Sequence, residues 1–501
     1  MRVALAPGSA RSATEVVTRR AEVVVPGSVL LLVLLRRWAQ MGAYAPGLDE
    51  GNWLAFGHAL LGRADSLPDG IPLFTVPPLV PLLMALIDGL AGPMAAAKTV
   101  ALVSMGGIYV ATYAVSRRGG LSMGSALTAA TLLSVSSAVL EPVAFGGYPQ
   151  NVAFAGLLVA GWGASIYLSR ARPRDAWIAG GGMAIAATSH HMYFLVTIAA
   201  VGVVWLIWMV ERPPRDEVIE KTRHLAIAGL PALITYIPTA TALLRSSYEA
   251  PVNASGADYV ASITYVFPDP TWLWVTVAGS GIVYLVGSTR LSGPLARLAL
   301  ALVVFPVLPF AVTSEARLLP PMVAGGLIGF GMALDHLRDL PSRVGVSAFA
   351  AAAVAVAALM FVADRRAEIA FGYFSAVDES MLQSAAWLDE HTDGHVAVRT
   401  DYRGWPVGWW YRALVGGDVL VGSDERWVAF AEEVEGARIV SELFEARSAA
   451  EARAVAARYG ISAAVTRKWD WIGWRQWVES PEPVAILYDD GTRIVLDLRE
   501  R

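Results

Sequence analysis

Apolar runs separated by short polar connectors dominate the chain from residue 23 to residue 363. Twelve stand out, at 23–35, 71–91, 96–116, 123–140, 151–169, 176–190, 192–210, 225–244, 271–287, 297–312, 318–334 and 344–363. Most approach the ~20 apolar residues that a helix needs to cross a bilayer. The pattern therefore predicts a polytopic α-helical membrane protein.

Charge orients the spans. The basic connectors are Arg117-Arg118, Arg170/Arg172/Arg174, Arg212 to Arg223, Arg290/Arg297 and Arg338/Arg343. Lys and Arg accumulate on the cytoplasmic side, and all five connectors share that side only if one early run does not cross. The run 71–91 is the exception, because Pro72, Pro77, Pro78 and Pro81 interrupt it and proline breaks helices whose backbone lipid cannot satisfy. It is expected to be an interfacial or re-entrant helix; read as a twelfth span, it breaks the charge rule downstream. The first run, Val23 to Leu35, follows Arg2, Arg11, Arg19 and Arg20 but lacks a small-residue cleavage site. It is expected to be an uncleaved span rather than a signal peptide. The expectation is about 11 transmembrane helices in a plasma-membrane protein with a cytoplasmic N-terminus. The outer loops are 44–95, 141–150, 246–270 and 313–317.

From Asp364 onward charged residues and tryptophans replace the apolar runs. A helix at 377–390 leads to a strand at His395 to Arg399, and a helix at 446–459 to a strand at Ile461 to Thr466. Strands at 483–488 and 492–498 are joined by the Asp489-Asp490-Gly491 turn. The chain thus divides into a transmembrane domain, 1–363, and an extracytoplasmic soluble α/β domain, 364–501. No internal repeat is visible.

Composition narrows the function classes. Of 501 residues, 55% are hydrophobic and only 16% charged, and the mean hydropathy is +0.50. A soluble enzyme, a disordered chain and a disulfide scaffold are excluded. The net charge of -4 gives no reason to expect a nucleic-acid partner. Without cysteine there is no thiolate ligand or cysteine nucleophile.

Candidate chemistry begins in the first outer loop. Asp49 and Glu50 directly follow the first span and precede an amphipathic helix with Trp53, Leu54, Leu60 and Leu61. Adjacent carboxylates at a membrane surface suit a general base and a partner that tunes it, or a divalent metal. The plainer reading is an acidic pair at a helix N-terminus, favoured by the dipole.

The ordered series of first span, outer arginines Arg36 and Arg37, Asp49-Glu50, amphipathic helix and Pro-Pro-Leu segment resembles the start of the GT-C superfamily of membrane glycosyltransferases. The likeness is to the branch of protein mannosyltransferases and the aminoarabinose transferase of lipid A. It covers residues 36–118 closely and the topology to 363. The resemblance implies a catalytic base at Asp49, a juxtamembrane helix in the proline-rich segment and a polyprenyl-phosphate sugar donor.

Further outer-face residues join the candidates. Glu141 opens the segment PVAFGGYPQN, where Tyr148 and the glycines suit a sugar or acceptor pocket or a simple turn. Ser189-His190-His191 interrupts an apolar run, and ionisable residues in a span are functional candidates by default. The two histidines suit metal, sugar or phosphate contacts, or a helix cap. Glu315 and Arg317 lie in TSEARLLPP, where the arginine is placed to neutralise a lipid phosphate or to pair internally. The family's Asp-x-Glu motif is missing from the second outer loop. So is the Trp-Trp-Asp-Tyr-Gly signature of oligosaccharyltransferases; Asp401 to Trp410 matches it only in composition. Trp405, Trp409, Trp410, Trp469, Trp471, Trp474 and Trp477 suit sugar stacking, the membrane surface or a small core.

The expectation is a glycosyltransferase, hexosyl or pentosyl, moving a sugar from a polyprenyl-phosphate donor to a glycan, lipid or protein acceptor, with membrane lipids around it. A divalent metal is possible but not required. The competing class is a transporter or flippase of a lipid-linked or polar solute, which predicts repeats and deep intramembrane charges.

Overall fold

The structure, a computed structural model, describes residues 8–44, 47–63, 67, 70–247, 278, 279, 281, 284, 293–338, 343–415, 419–424 and 427–499. The predicted loop 246–270 and span 271–287 lie almost wholly outside the described residues.

The apolar pattern folds into α1 (Gly8–Gln40), α2 (Glu50–Leu60), α3 (Leu79–Ala91), α4 (Pro93–Arg118), α5 (Met123–Val135), α6 (Ser137–Phe145) and α7 (Tyr148–Arg170). Next come α8 (Pro173–Ser189), α9 (His191–Met209), α10 (Arg215–Arg245), α11 (Pro294–Val304), α12 (Val307–Thr313), α13 (Leu319–Arg338) and α14 (Arg343–Phe374). Among the described residues eight helical runs are long and apolar enough to cross a membrane. The chain is an integral membrane protein. The other three predicted spans are α1, the 17-residue α8 and the stretch 271–287.

The proline-rich run 71–91 becomes an irregular segment followed by α3, a 13-residue helix. That is about 20 Å of helix, short of the ~30 Å hydrocarbon core. Pro81 falls in its first turn, where a missing N–H costs nothing. The helix packs on α2, and Asp88 Oδ2 lies 2.8 Å from His58 Nε2.

Two expectations change in the next segment. The run 123–140 breaks at Ser136, which is extended (φ -66°, ψ 154°), and α6 then carries the helix on to Phe145. Glu141, expected in an outer loop, is instead buried inside α6. Arg366 of α14, 2.6 Å away, supplies the countercharge that lets a helix carry this carboxylate inward. Tight helix contacts rest on glycine: a Cβ on Gly182 of α8 would sit 2.4 Å from the Ala160 backbone nitrogen of α7.

Beyond the bilayer run, α14 continues across residue 364 without a break, because the charged segment that follows Ala363 is also a good helix former. It is followed by α15 (Glu379–His391), β1 (His395–Val398), α16 (Gly408–Val415), β2 (Val419–Val421), α17 (Ala431–Phe444) and α18 (Ala449–Tyr459). β3 (Ile461–Arg467), α19 (Trp474–Val478), β4 (Ala485–Asp489) and β5 (Arg493–Asp497) complete the chain. The sheet order is β2-β1-β3-β5-β4, with β1 parallel to β2 and β3, and β5 antiparallel to β3 and β4. The predicted helices and four of the strands are present within a few residues. β2, α16, α17 and α19 have no counterpart in the sequence reading. Of these, α16 matters most, because it docks on α2 beside the candidate carboxylates.

Candidate active site

The loop before α2 is stitched to the end of α6. The backbone N–H groups of Leu48 and Asp49 both donate to the Phe145 carbonyl, at 3.1 and 3.0 Å. Trp53 Nε1 donates to the Gly146 carbonyl at 2.7 Å. From the C-terminal part, Trp410 Nε1 donates to the Gly47 carbonyl at 3.2 Å. The approach is close: Gly146 has φ +101°, and a Cβ there would lie 2.8 Å from Glu50 Oε2 and 3.0 Å from Asp49 Cβ.

Within this frame the two carboxylates differ. Asp49 occupies the N-cap position of α2, yet its side chain makes no capping hydrogen bond. The dipole favours an acid at this place, but no capping hydrogen bond engages the half-buried Asp49 carboxylate, which leaves its oxygens open to a ligand. Burial pushes it up to about 7, with the Arg317 guanidinium acting in the opposite direction. Glu50 is fully buried. Its Oε1 accepts from Gly47 N at 2.9 Å and from Tyr148 OH at 2.5 Å, while Oε2 is buried without a partner. Burial pushes Glu50 up to about 8; the Tyr148 hydrogen bond works against this, and the charge of Asp49 adds to it.

A second group of candidates comes from α9 and the turn before α13. Tyr193 OH donates to the Arg317 carbonyl at 2.9 Å, and Gln150 Nε2 lies 3.4 Å from the same hydroxyl. Ser314, with φ +51°, turns the chain there. The half-exposed Arg317 side chain has Nε 3.8 Å from Glu315 Oε1, and Glu315 Oε1 accepts from Arg317 N at 3.2 Å. His190 caps α9, accepting from Tyr193 N, and its ring stacks on His191 at 5.0 Å. The charge of Arg317 reaches Asp49 and both imidazoles.

The structure thus gathers Asp49, Glu50, Tyr148, His190, His191 and Arg317, with Glu315 behind the arginine. It does not add Glu141, which pairs with Arg366. Arg36 and Arg37 also turn elsewhere, to Asp364 at 2.7 and 3.3 Å, where they tie α1 to α14. Among the described residues no three of His, Asp and Glu converge as a metal-binding group, so no ligand set is assigned.

Sequence reasoning named Trp53 and Trp410 without this role and passed over Lys98. Trp53 and Trp410 hold the carboxylate loop from two sides. Lys98, buried near the start of α4, donates to the Gly42 carbonyl and lies 5.1 Å from the Trp38 ring centroid. It is the one charged residue in the run 96–116, so the rule that singled out the histidines applies to it equally.

The arrangement of spans, juxtamembrane helices and a sheet-bearing C-terminal part has solved counterparts. The oligosaccharyltransferase of Archaeoglobus fulgidus in the apo form superposes with a TM-score of 0.59 at 11% identity, over 95% of this chain and 74% of that one. The arabinofuranosyltransferase AftD from Mycobacteria gives 0.66 at 16% identity, over 96% of this chain and 40% of that one. ArnT from Cupriavidus metallidurans bound to undecaprenyl phosphate gives 0.59 at 14% identity, over 95% and 98%. No family model and no curated protein sequence matches the chain. The fold is that of the GT-C membrane glycosyltransferases.

Proposed function

We propose that this chain is a glycosyltransferase that moves a sugar from a polyprenyl-phosphate donor to an acceptor hydroxyl on the outer face of the plasma membrane, with the N-terminus cytoplasmic. ArnT binds undecaprenyl phosphate, and a donor of that kind reaches an interfacial site laterally from the bilayer. The observation that carries the reading is the uncapped Asp49 carboxylate, tuned to about 7 and faced by the charge of Arg317. A base titrating near the working pH is well matched to deprotonating a hydroxyl.

In the reaction the acceptor oxygen attacks the anomeric carbon as Asp49 takes its proton. The bond from that carbon to the phosphate oxygen breaks, and its electron pair leaves with the polyprenyl phosphate. Arg317 offsets the charge that grows on the leaving phosphate. Glu50, having no exposed surface, is a positioning residue that fixes the loop through Gly47 and Tyr148. The part from residue 364 onward is the extracytoplasmic domain, which braces the loop through Trp410 and positions the acceptor.

The test is transfer from a polyprenyl-phosphate sugar in liposomes, with donor binding measured separately. Asp49→Asn is expected to lose about 10²–10⁴-fold in turnover while donor binding stays within roughly tenfold. Arg317→Ala is expected to impair both, because a phosphate contact acts in ground and transition states alike. Full activity of Asp49→Asn would overturn the base assignment. No transfer by the wild type from any lipid-phosphate sugar would favour the transporter.

A further inference from the structure

A cleft lies in the C-terminal part beside α16: Trp410 faces the carboxylate loop, while its neighbour Tyr411, about 100° further round the helix, lines the cleft. The sheet explains its position. The chain leaves β1 towards β2 and then crosses back to pair β3 on the other side of β1. At such a reversal the connections diverge, and open α/β sheets take ligands in the crevice beyond the carboxyl ends of the strands. The crevice itself is narrow, with about 20 Å³ open inside it and about 280 Å³ once the unoccupied space around its mouth is counted, so only a small polar group enters and the rest of a ligand lies at the rim.

Its lining is rich in arginine. Arg399 and Asp401 follow β1, Arg467 ends β3 and Arg493 begins β5. Arg467 and Arg493 share a single counterion, Asp378, and Asp401 is committed to Arg403 at 2.6 Å. Arg399 makes no ion pair among the described residues; its Nη1 rests on the Asp470 carbonyl at 3.0 Å. The Nε of Arg467 is buried without a partner. With Arg403 and Asp378 included, four guanidinium groups (Arg399, Arg403, Arg467 and Arg493) stand against three carboxylates (Asp378, Asp401 and Asp470), so the cleft keeps a positive surplus. Guanidinium groups so placed suit the paired oxygens of phosphate or carboxylate.

The rim adds aromatic surface. Trp469 is 61% exposed and Tyr402 73% exposed, and the Arg467 guanidinium lies 6.0 Å from the Trp469 ring centroid. An amphipathic ring beside an anion pocket matches a sugar bearing an acidic substituent. A lipid head group is the competing anion, and it is disfavoured if the span ends at Asp364, as the charge pattern predicts. α14 rises about 15 Å past Asp364 before Arg403 donates to the carbonyls of Tyr373 and Ser375.

We infer that this cleft is a second binding site, for the anionic group, phosphate or carboxylate, of a saccharide that stacks on Trp469. The inference rests on the strand-end geometry and stands apart from transfer at Asp49. The test is calorimetric titration of the full-length protein in detergent with glucose 1-phosphate, glucuronate, inorganic phosphate, glycerol 3-phosphate and maltose. Glucose 1-phosphate, glucuronate or both are expected to bind more tightly than maltose, and the stronger of the two identifies the anion. Arg399→Gln is expected to weaken that binding about tenfold or more, and Arg399→Lys less. Trp469→Ala is expected to weaken the acidic sugar without affecting inorganic phosphate, and as an exposed position it carries the test if Arg399→Gln misfolds. Asp49→Asn is expected to bind as wild type does, whatever its activity. Equal binding of maltose, or unchanged affinity in folded Arg399→Gln, would overturn the site. Glycerol 3-phosphate binding as tightly as glucose 1-phosphate would overturn the saccharide and point to a lipid head group.

Discussion

Gly146→Ala separates the geometry of the Asp49 loop from its chemistry. Gly146 has φ +101°, so any side chain there strains the backbone by about 1–2 kcal/mol. The new methyl would also start 3.0 Å from both Asp49 N and Asp49 Cβ and 2.8 Å from Glu50 Oε2, where ordinary contact begins at 3.4 Å. The loop must therefore retreat by roughly half an ångström. A 1 Å misplacement can cost about 10²-fold, so the expected loss of turnover is roughly tenfold. Gly120→Ala is the control: its φ is +99° and nothing lies within 4 Å of the added Cβ, so it carries strain without displacement. The assay is the initial transfer rate beside thermal unfolding of both variants. Similar destabilisation with a rate loss confined to Gly146→Ala is expected. A wild-type rate in Gly146→Ala, or equal rate losses in both variants, would refute the argument that the loop needs its present position.

Other consequences follow from the same residues. Turnover should rise with pH through about 7 as Asp49 loses its proton, and a pH–rate profile of Asp49→Asn should lack that limb. Glu50 is raised by burial to about 8, so its contribution to stability is full below its unfolded value near 4.5 and is lost as pH rises through about 8. Tyr148→Phe removes a donor that favours the charged form, so it should destabilise by about 1.5–3 kcal/mol, more at pH 9 than at pH 6 in thermal unfolding. Arg366→Ala leaves Glu141 buried without its countercharge and should cost about 3–5 kcal/mol; Glu141→Gln in the same chain should recover part of the loss in chemical denaturation. Because the chain has no cysteine, single cysteines report topology directly: Tyr402→Cys should label with an impermeant reagent in intact cells and Arg118→Cys should not.

What the sequence carried was what local periodicity and charge can encode. The helix runs, the proline-broken segment before α3 and the Asp489-Asp490-Gly491 hairpin all follow from residues within a few turns of one another. Glu141 shows where that logic stops. A carboxylate beside Pro142 reads as a loop until its partner is known, and the partner, Arg366, lies 225 residues away. Arg36 and Arg37 fail in the mirror sense: they look free to meet a phosphate until α14 brings Asp364 to them. Convergence of the site is equally non-local. Asp49 needs the Phe145 carbonyl to hold its loop, the turn at Ser314 to aim Arg317, and Trp410 to brace it from 363 residues beyond Gly47. The cost of an ionisable group in a span singled out His190 and His191, whereas Asp49, Tyr148 and Arg317 became candidates through their residue types in the outer loops. The same cost argument reaches Lys98, whose ammonium lies buried against the Gly42 carbonyl and the Trp38 ring. Its position beside the first loop makes it the natural next cation to test after Arg317. Lys98→Met keeps the stem and removes the charge, so a loss of donor binding with the fold retained would assign it to the phosphate. Unchanged binding with lowered stability would leave it as a strut between α4 and the end of α1.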